Sequence, residues 1–246
     1  MASLHQPSCQ PRIIVNQMNR VFVGVDHRQA IGYNVLQWSI HANAAKPIIV
    51  QPLIIDQLPV VRRGLTDFTF TRYLVPYLCG FKGHALFMDA DMVINDADLN
   101  ELFDSHSWDA HVSVVKDQPE FEWPSLMMFN CEACTELTPG YINDKSTNPN
   151  DLRTWAKTIG DIPKRWNVMT RASVDDEIPE GAMVLHYTEG LPCFQETQHT
   201  NGGRAWHNAK REMNYTVPWA EMMAKSIHGD PVMHRVISRY MEARNG

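Results

Sequence analysis

From Arg20 onward the chain alternates short apolar runs with stretches of helical periodicity. Val21-Phe22-Val23-Gly24-Val25 is a β-branched and aromatic run closed by Asp26, which predicts a buried strand. Residues 29–43 then repeat apolar positions at helical spacing through Ala30, Val35, Leu36, Trp38 and Ile40. Residues 48–50 and 53–55 predict more strand, and 68–79 a helix that Pro76 kinks or ends, because proline lacks an N–H and crowds the preceding turn. The apolar run at 84–94 is the next strand. Asp98 is placed to cap a short helix over 99–103, and strands at 111–115 and 126–129 precede a helix starting near Glu132. Beyond residue 137 the texture changes: 139–150 reads as loop, 152–159 as a short helix, 183–186 as a strand, and 219–244 as an amphipathic helix broken near Gly229 and Pro231. Strands alternating with helices imply an α/β fold. Residues 1–20, with two prolines and several Gln and Asn, read as a flexible tail, and 21–246 as one domain without repeats.

Composition narrows the function classes. The 246 residues and 44% hydrophobic content suffice for a substantial core. A formal charge of -6 without long like-charge blocks leaves no electrostatic footprint for nucleic acid or an anionic membrane. No segment reaches the roughly 20 apolar residues of a transmembrane helix, and the first twenty are too polar for a secretory signal. Five scattered cysteines point to a reducing, cytoplasmic compartment. Cys131 and Cys134 form a lone Cys-x-x-Cys with no second pair for zinc, and read as two partly buried thiols on a helix.

Candidate chemistry concentrates in Leu86-Phe87-Met88-Asp89-Ala90-Asp91. Asp89 and Asp91, two residues apart at the end of a buried strand, point to the same side if the backbone stays extended. Their repulsion raises one pKa unless a cation sits between them, and a hard divalent ion such as Mn2+ or Mg2+ prefers such oxygens. In open α/β sheets ligands gather at the carboxyl ends of strands. Neither a Gly-x-x-x-x-Gly-Lys-Ser/Thr loop nor a Gly-x-Gly-x-x-Gly follows the first strand, so a bound diphosphate has to be held by metal and side chains. His186, after Ala182-Met183-Val184-Leu185, is a candidate third ligand, with a hydrogen-bonded structural histidine as the alternative.

These segments resemble the GT-A fold glycosyltransferases, most similarly the glycosyltransferase family 8 and glycogenin-like group. Phe22-Val23-Gly24-Val25-Asp26 resembles the first nucleotide-binding strand, and residues 70–78 the Arg-containing helix before the metal motif. Residues 86–93 resemble the Asp-x-Asp strand, 99–103 the short helix after it, and Ser125 to Asn130 the donor-sugar and acceptor strand. Ile162-Pro163-Lys164-Arg165-Trp166-Asn167 is similar to a Leu-Pro-x-x-Trp-Asn motif, and Leu185-His186-Tyr187-Thr188-Glu189-Gly190 to the His-Tyr-x-Gly metal and phosphate loop. The resemblance implies a Rossmann-like mixed sheet flanked by helices and a hexosyltransferase-like enzyme, retaining, that moves a sugar from a UDP-sugar or similar donor to a glycan, lipid or protein acceptor. It further implies Mn2+ or Mg2+ on Asp89, Asp91 and His186, and donor contacts at Val25, Asp26, Arg72, Ala90 and Gly190, with Asn130 touching the sugar. Arg72 alternatively pairs only with a surface carboxylate, and Asp26 alternatively caps the following helix.

Two departures stand out. Leu191-Pro192-Cys193 replaces the Lys-Pro-Trp that usually follows the glycine, and the acidic motif between the sugar strand and Trp-Asn has no clean copy. A non-catalytic nucleotide-sugar-binding relative is therefore the main alternative. A sugar-phosphate nucleotidyltransferase ranks lower, because residues 24–32 lack the Gly-rich loop it needs.

Overall fold

Strand β1 (Asn19–Gly24) is buried on both faces: Val21 and Val23 pack in one hydrophobic cluster and Phe22 in another. The same split recurs in β3 (His84–Asp89), where Leu86 and Met88 join the first cluster and Ala85 and Phe87 the second. A strand covered on both sides has no polar face, which is why these segments read as continuous apolar runs. The computed structural model describes residues 18–117, 121–171, 177–223, 235 and 238–244. Nearly all of the expected tail lies outside them.

The two central strands belong to a six-stranded sheet with β2 (Ile48–Leu53), β5 (Val112–Asp117), β6 (Phe121–Asn130) and β7 (Ile159–Ile162), in the order β2-β1-β3-β6-β5-β7. β1 is parallel to β2 and β3, and β7 is parallel to β5. β6 runs antiparallel to both of its neighbours. The sheet is thus mixed, as expected. A second sheet of three short strands, β4 (Met92–Ile94), β8 (Val168–Met169) and β9 (Val184–His186), has β9 in the middle. The chain passes from the large sheet to the small one through Ala90 and Asp91.

Helix α1 (Ala30–Asn43) packs against this crossing. Ser39 Oγ accepts a hydrogen bond from Ile94 N at 3.1 Å, and Gly32 lies so close to the turn that a Cβ there would stand 2.8 Å from the Ala90 carbonyl oxygen. Helix α2 (Val75–Leu78) follows a 3-10 turn over Thr71–Leu74, and α3 (Leu99–Ser105) is capped by Asp98, whose side chain accepts from Asn100 N as the sequence predicts.

Several elements differ from expectation. Pro76 sits in the first turn of α2, where its missing N–H costs nothing, so it starts the α-helix instead of ending it. The region 139–150 contains α4 (Pro139–Asn143), with Thr138 as its N-cap and proline at its start. The helix expected over 152–159 is a single 3-10 turn, Leu152–Thr154, capped by Asp151, after which residues 159–162 become edge strand β7. The helix expected near Glu132 is also only a 3-10 turn, Cys131–Ala133. Cys131 and Cys134 are both fully buried, and each thiol points at a backbone carbonyl, Cys131 Sγ at Phe129 O (3.9 Å) and Cys134 Sγ at His111 O (3.1 Å).

The chain divides into two compact units, one ending at Ala209 and one over Lys210–Gly246, where one domain over 21–246 is the sequence expectation. Helix α5 spans Gly203–Met213 and α6 Trp219–Met223. The rest of the helix expected over 219–244 lies partly outside the described residues. No described helix is long and apolar enough to cross a membrane.

Phe87 is fully buried in the larger cluster, so Phe87→Ala is expected to cost about 3–5 kcal/mol of stability, measured by chemical denaturation.

Candidate functional site

β3 ends at Asp89, and the turn through Ala90 and Asp91 leads straight into β4. In the small sheet β4 is antiparallel to β9, with Met92 opposite His186, and Tyr187 N donates to the Asp91 carbonyl at 2.8 Å. The two sheets therefore deliver three side chains to one point. One ligand-type atom each from Asp89, Asp91 and His186 lies within 4.8 Å of the others. Asp89 and His186 are buried, and Asp91 is partly so.

The group is electrostatically incomplete. Asp89 Oδ1 and Asp91 Oδ1 are buried and accept no hydrogen bond. Asp89 Oδ1 stands 3.1 Å from Arg72 Nη2, and Asp91 Oδ1 stands 3.2 Å from His186 Nε2. Burial raises the Asp89 pKa to about 7, against the pull of Arg72 and with the push of Asp91. For His186, burial disfavours the charged ring, but the Asp91 and Asp89 carboxylates outweigh it and hold its pKa above the ordinary value. Two hard carboxylate oxygens, held by ion pairs but accepting no well-formed hydrogen bond, and an imidazole nitrogen form a donor set that fits Mn2+ or Mg2+, whose charge would replace the protons these groups otherwise retain.

Arg72 is buried within the site's wall. Its Nη1 donates to the Pro124 carbonyl at 2.7 Å, its Nε to the Phe68 carbonyl at 3.3 Å, and its Nη2 to Asp89 Oδ2 at 3.4 Å; the guanidinium also lies over the Phe87 ring. Arg72 does pair with a carboxylate, the buried one of Asp89 and not one at the surface. His186 is braced too: its Nδ1 is 2.9 Å from Asn167 Oδ1, and Asn167 Nδ2 donates to Ser125 Oγ at 2.9 Å. Sequence reasoning assigns no task to Asn167 or Ser125. Their only signal is the Trp-Asn motif and the start of the strand segment.

The remaining expected residues are distributed as follows. Gly24 pairs with Asp89, so the end of β1 lies beside the site, and Val25 N continues to Leu53 O. Asp26 caps the 3-10 turn His27–Gln29 and grips Arg28 through Nε at 2.8 Å and Nη2 at 2.5 Å, which holds its carboxyl down at about 2. Both Asp26 oxygens are thus occupied. Asp26, His27 and Asp67 also place ligand-type atoms within 4.8 Å, but Asp26 is paired with Arg28 and His27 Nδ1 lies 2.6 Å from Asp67 Oδ2, so this group is closed by its own ion pairs. Gly190 has φ of +127°, which favours glycine, and its N–H closes a turn onto the Tyr187 carbonyl. Asn130 is not at the site. β6 is antiparallel to β3, so Asn130 pairs with His84 at the far end of the strand from Asp89, and its amide donates to the Trp108 carbonyl at 3.0 Å.

No protein-family profile matches the chain. It is 26% identical over 236 residues to Protein CDI of Arabidopsis thaliana, covering 79% of this chain and 87% of that protein. Among solved structures, the WbbM bifunctional glycosyltransferase superposes with a TM-score of 0.61 at 16% identity over 86% of this chain, which spans about half (52%) of WbbM. The galactosyltransferase LgtC, solved with donor and acceptor sugar analogs, gives 0.55 at 14% identity, covering 81% of this chain and 97% of LgtC. This chain has the GT-A glycosyltransferase fold. GlyE of Streptococcus pneumoniae TIGR4 agrees, with a TM-score of 0.56 at 12% identity over 82% of this chain and 61% of GlyE.

Because the Asp89 pKa is raised in the fold from 3.8 to about 7, its stabilising contribution is complete below pH 3.8 and is lost as pH climbs through 7. Asp89→Asn, which mimics the neutral acid, is expected to melt higher than wild type at pH 8 in chelator, with the gap closing by about pH 4.5. Melting curves across that range decide it; a pH-independent gap contradicts the assignment.

Proposed function

We propose that the protein is a divalent-metal-dependent glycosyltransferase that moves a sugar from a nucleotide-sugar donor, a UDP-sugar in the first instance, to a hydroxyl on a glycan, lipid or protein acceptor. The observation that carries this reading is the convergence of Asp89, Asp91 and His186 ligand atoms within 4.8 Å of one another at the carboxyl end of β3, with Asp89 and His186 buried. The GT-A fold supports it, since nucleotides bind open α/β sheets at that end. When bound there, Mn2+ or Mg2+ supplies Lewis-acid stabilisation of the departing diphosphate.

The chain's own residues do the rest. Asp89, Asp91 and His186 hold the ion, and the backbone at Ala90 sets their separation. Arg72 aims Asp89 and opposes its protonation from inside the core. Asp26 anchors Arg28, whose side chain is 62% exposed, at the end of β1, where it is a fixed positive charge for the nucleotide moiety next to Val25. Gly190 lets the segment after the histidine turn sharply toward the diphosphate. Breaking the anomeric C–O bond leaves positive charge on the sugar and negative charge on the diphosphate, so this arrangement favours the transition state over the intact donor.

A second reading, a nucleotide-sugar binder without turnover, is favoured by one observation: Leu191, which stands where the resemblance puts a lysine, is a fully buried apolar side chain. Donor hydrolysis separates the two readings.

In a thermal-shift screen of nucleotide sugars, a donor at 100 times its Kd is expected to stabilise the protein by about 2.7 kcal/mol, or roughly 5–10 °C, with Mn2+ and not in chelator. Equal melting with and without Mn2+ contradicts the reading. Asp91→Asn is expected to reduce Mn2+-dependent donor cleavage by about 100-fold or more while far-ultraviolet circular dichroism stays unchanged. Wild-type kinetics in that variant would remove Asp91 from the site.

A further inference from the structure

Asn167 bridges the two sheets immediately before β8. Its Nδ2 donates to Ser125 Oγ on β6, and its Oδ1 receives His186 Nδ1 from β9, each at 2.9 Å; all three residues are buried. An amide oxygen carries lone pairs and no proton, so the hydrogen in the second contact belongs to Nδ1, whatever the charge on the ring. The neutral ring is then left with its lone pair on Nε2. That is the atom 3.2 Å from Asp91 Oδ1, and the carboxylate oxygen it faces has no hydrogen-bond donor. Two unshared pairs facing each other across a buried gap repel unless a proton or a metal cation lies between them.

The other end of the amide matters equally. With Nδ2 engaged by the Ser125 hydroxyl, the oxygen is the end turned toward the ring. The residue before Ser125 does the parallel task for the other ligand strand: the Pro124 carbonyl accepts from Arg72 Nη1 at 2.7 Å, and Arg72 reaches on to Asp89. Consecutive residues of β6 therefore anchor both braces, one for a carboxylate of the large sheet and one for the imidazole of the small sheet.

We propose that Asn167 is a positioning residue that fixes His186 in the Nδ1–H tautomer and aims Nε2 at the cation shared with Asp89 and Asp91. This deepens the metal-dependent reading and rests on it. Asn167 touches neither cation nor substrate in this role; it acts through the ring.

The test is Mn2+ affinity measured by calorimetry on the full chain, with no donor present. Asn167→Leu and Asn167→Ala both remove the acceptor, one with and one without comparable volume, and are expected to weaken Mn2+ binding roughly 10–100-fold. Asn167→Asp keeps an acceptor oxygen for Nδ1–H and is expected to bind Mn2+ within about threefold of wild type or more tightly, as carboxylate–histidine–metal arrangements do. Loss in the first two variants with recovery in the third, at similar metal-free melting temperatures, is the expected result. Wild-type affinity in either acceptor-less variant, or an Asn167→Asp variant as weak as they are, overturns the role. Wild-type protein that takes up no Mn2+ overturns the metal reading, and this inference with it, a result distinguishable from unchanged affinity in the variants.

Discussion

Two carboxylates and an imidazole share one space with little access to water, and much of the surrounding structure follows from the resulting repulsion. Charges cannot be left bare in such a setting: they are protonated, paired or neutralised by an ion. Here the burial of Asp89 is only partly offset by Arg72, and Asp91 adds to the strain. A group so placed is a poor choice for stability and a good one for capturing a small cation. The hydrophobic clusters on either face of the large sheet supply the rigidity that keeps the acids together in spite of it.

The site lies at the join of two sheets because no single element could present these three side chains together. β3 carries Asp89 up from the six-stranded sheet, the turn places Asp91, and β9 of the small sheet returns His186 against β4. Asp89 and His186 arrive on strands whose backbone is tied by ladder hydrogen bonds, and Asp91 sits in the two-residue turn between two such strands. Precision in the cluster is therefore inherited from strand register, with side-chain braces correcting only the last torsions.

Much of this was legible from the residues. β1 and β3 announce themselves as apolar runs because both their faces are covered, and Asp98 marks α3 because capping is a local event. Asp89, Asp91 and His186 were singled out by chemistry and by strand-end position, and the structure brings them together. Asn130 was misplaced for a definite reason: an antiparallel strand reverses which of its ends faces the site, and direction is set by tertiary pairing that residue pattern does not encode. β7 is too short to show a period, so 152–159 read as helix. The Ser125–Asn167 bond links positions 42 residues apart in sequence, and Arg72's inward course depends on a carbonyl 52 residues away; neither leaves a local trace.

Gly32 has a broader meaning for the site's mechanics. Because α1 approaches the Ala90 carbonyl without an intervening side chain, the peptide between the two aspartates rests on another stretch of backbone. Side chains accommodate disturbance by hopping between rotamers, whereas backbone in a helix has no such freedom. The floor beneath the two acids is thus stiff in the direction of the helix, and α1 and the turn are compelled to move as one body. The segment after His186 shares that seat, because the same Cβ would stand 3.2 Å from a Leu191 methyl group.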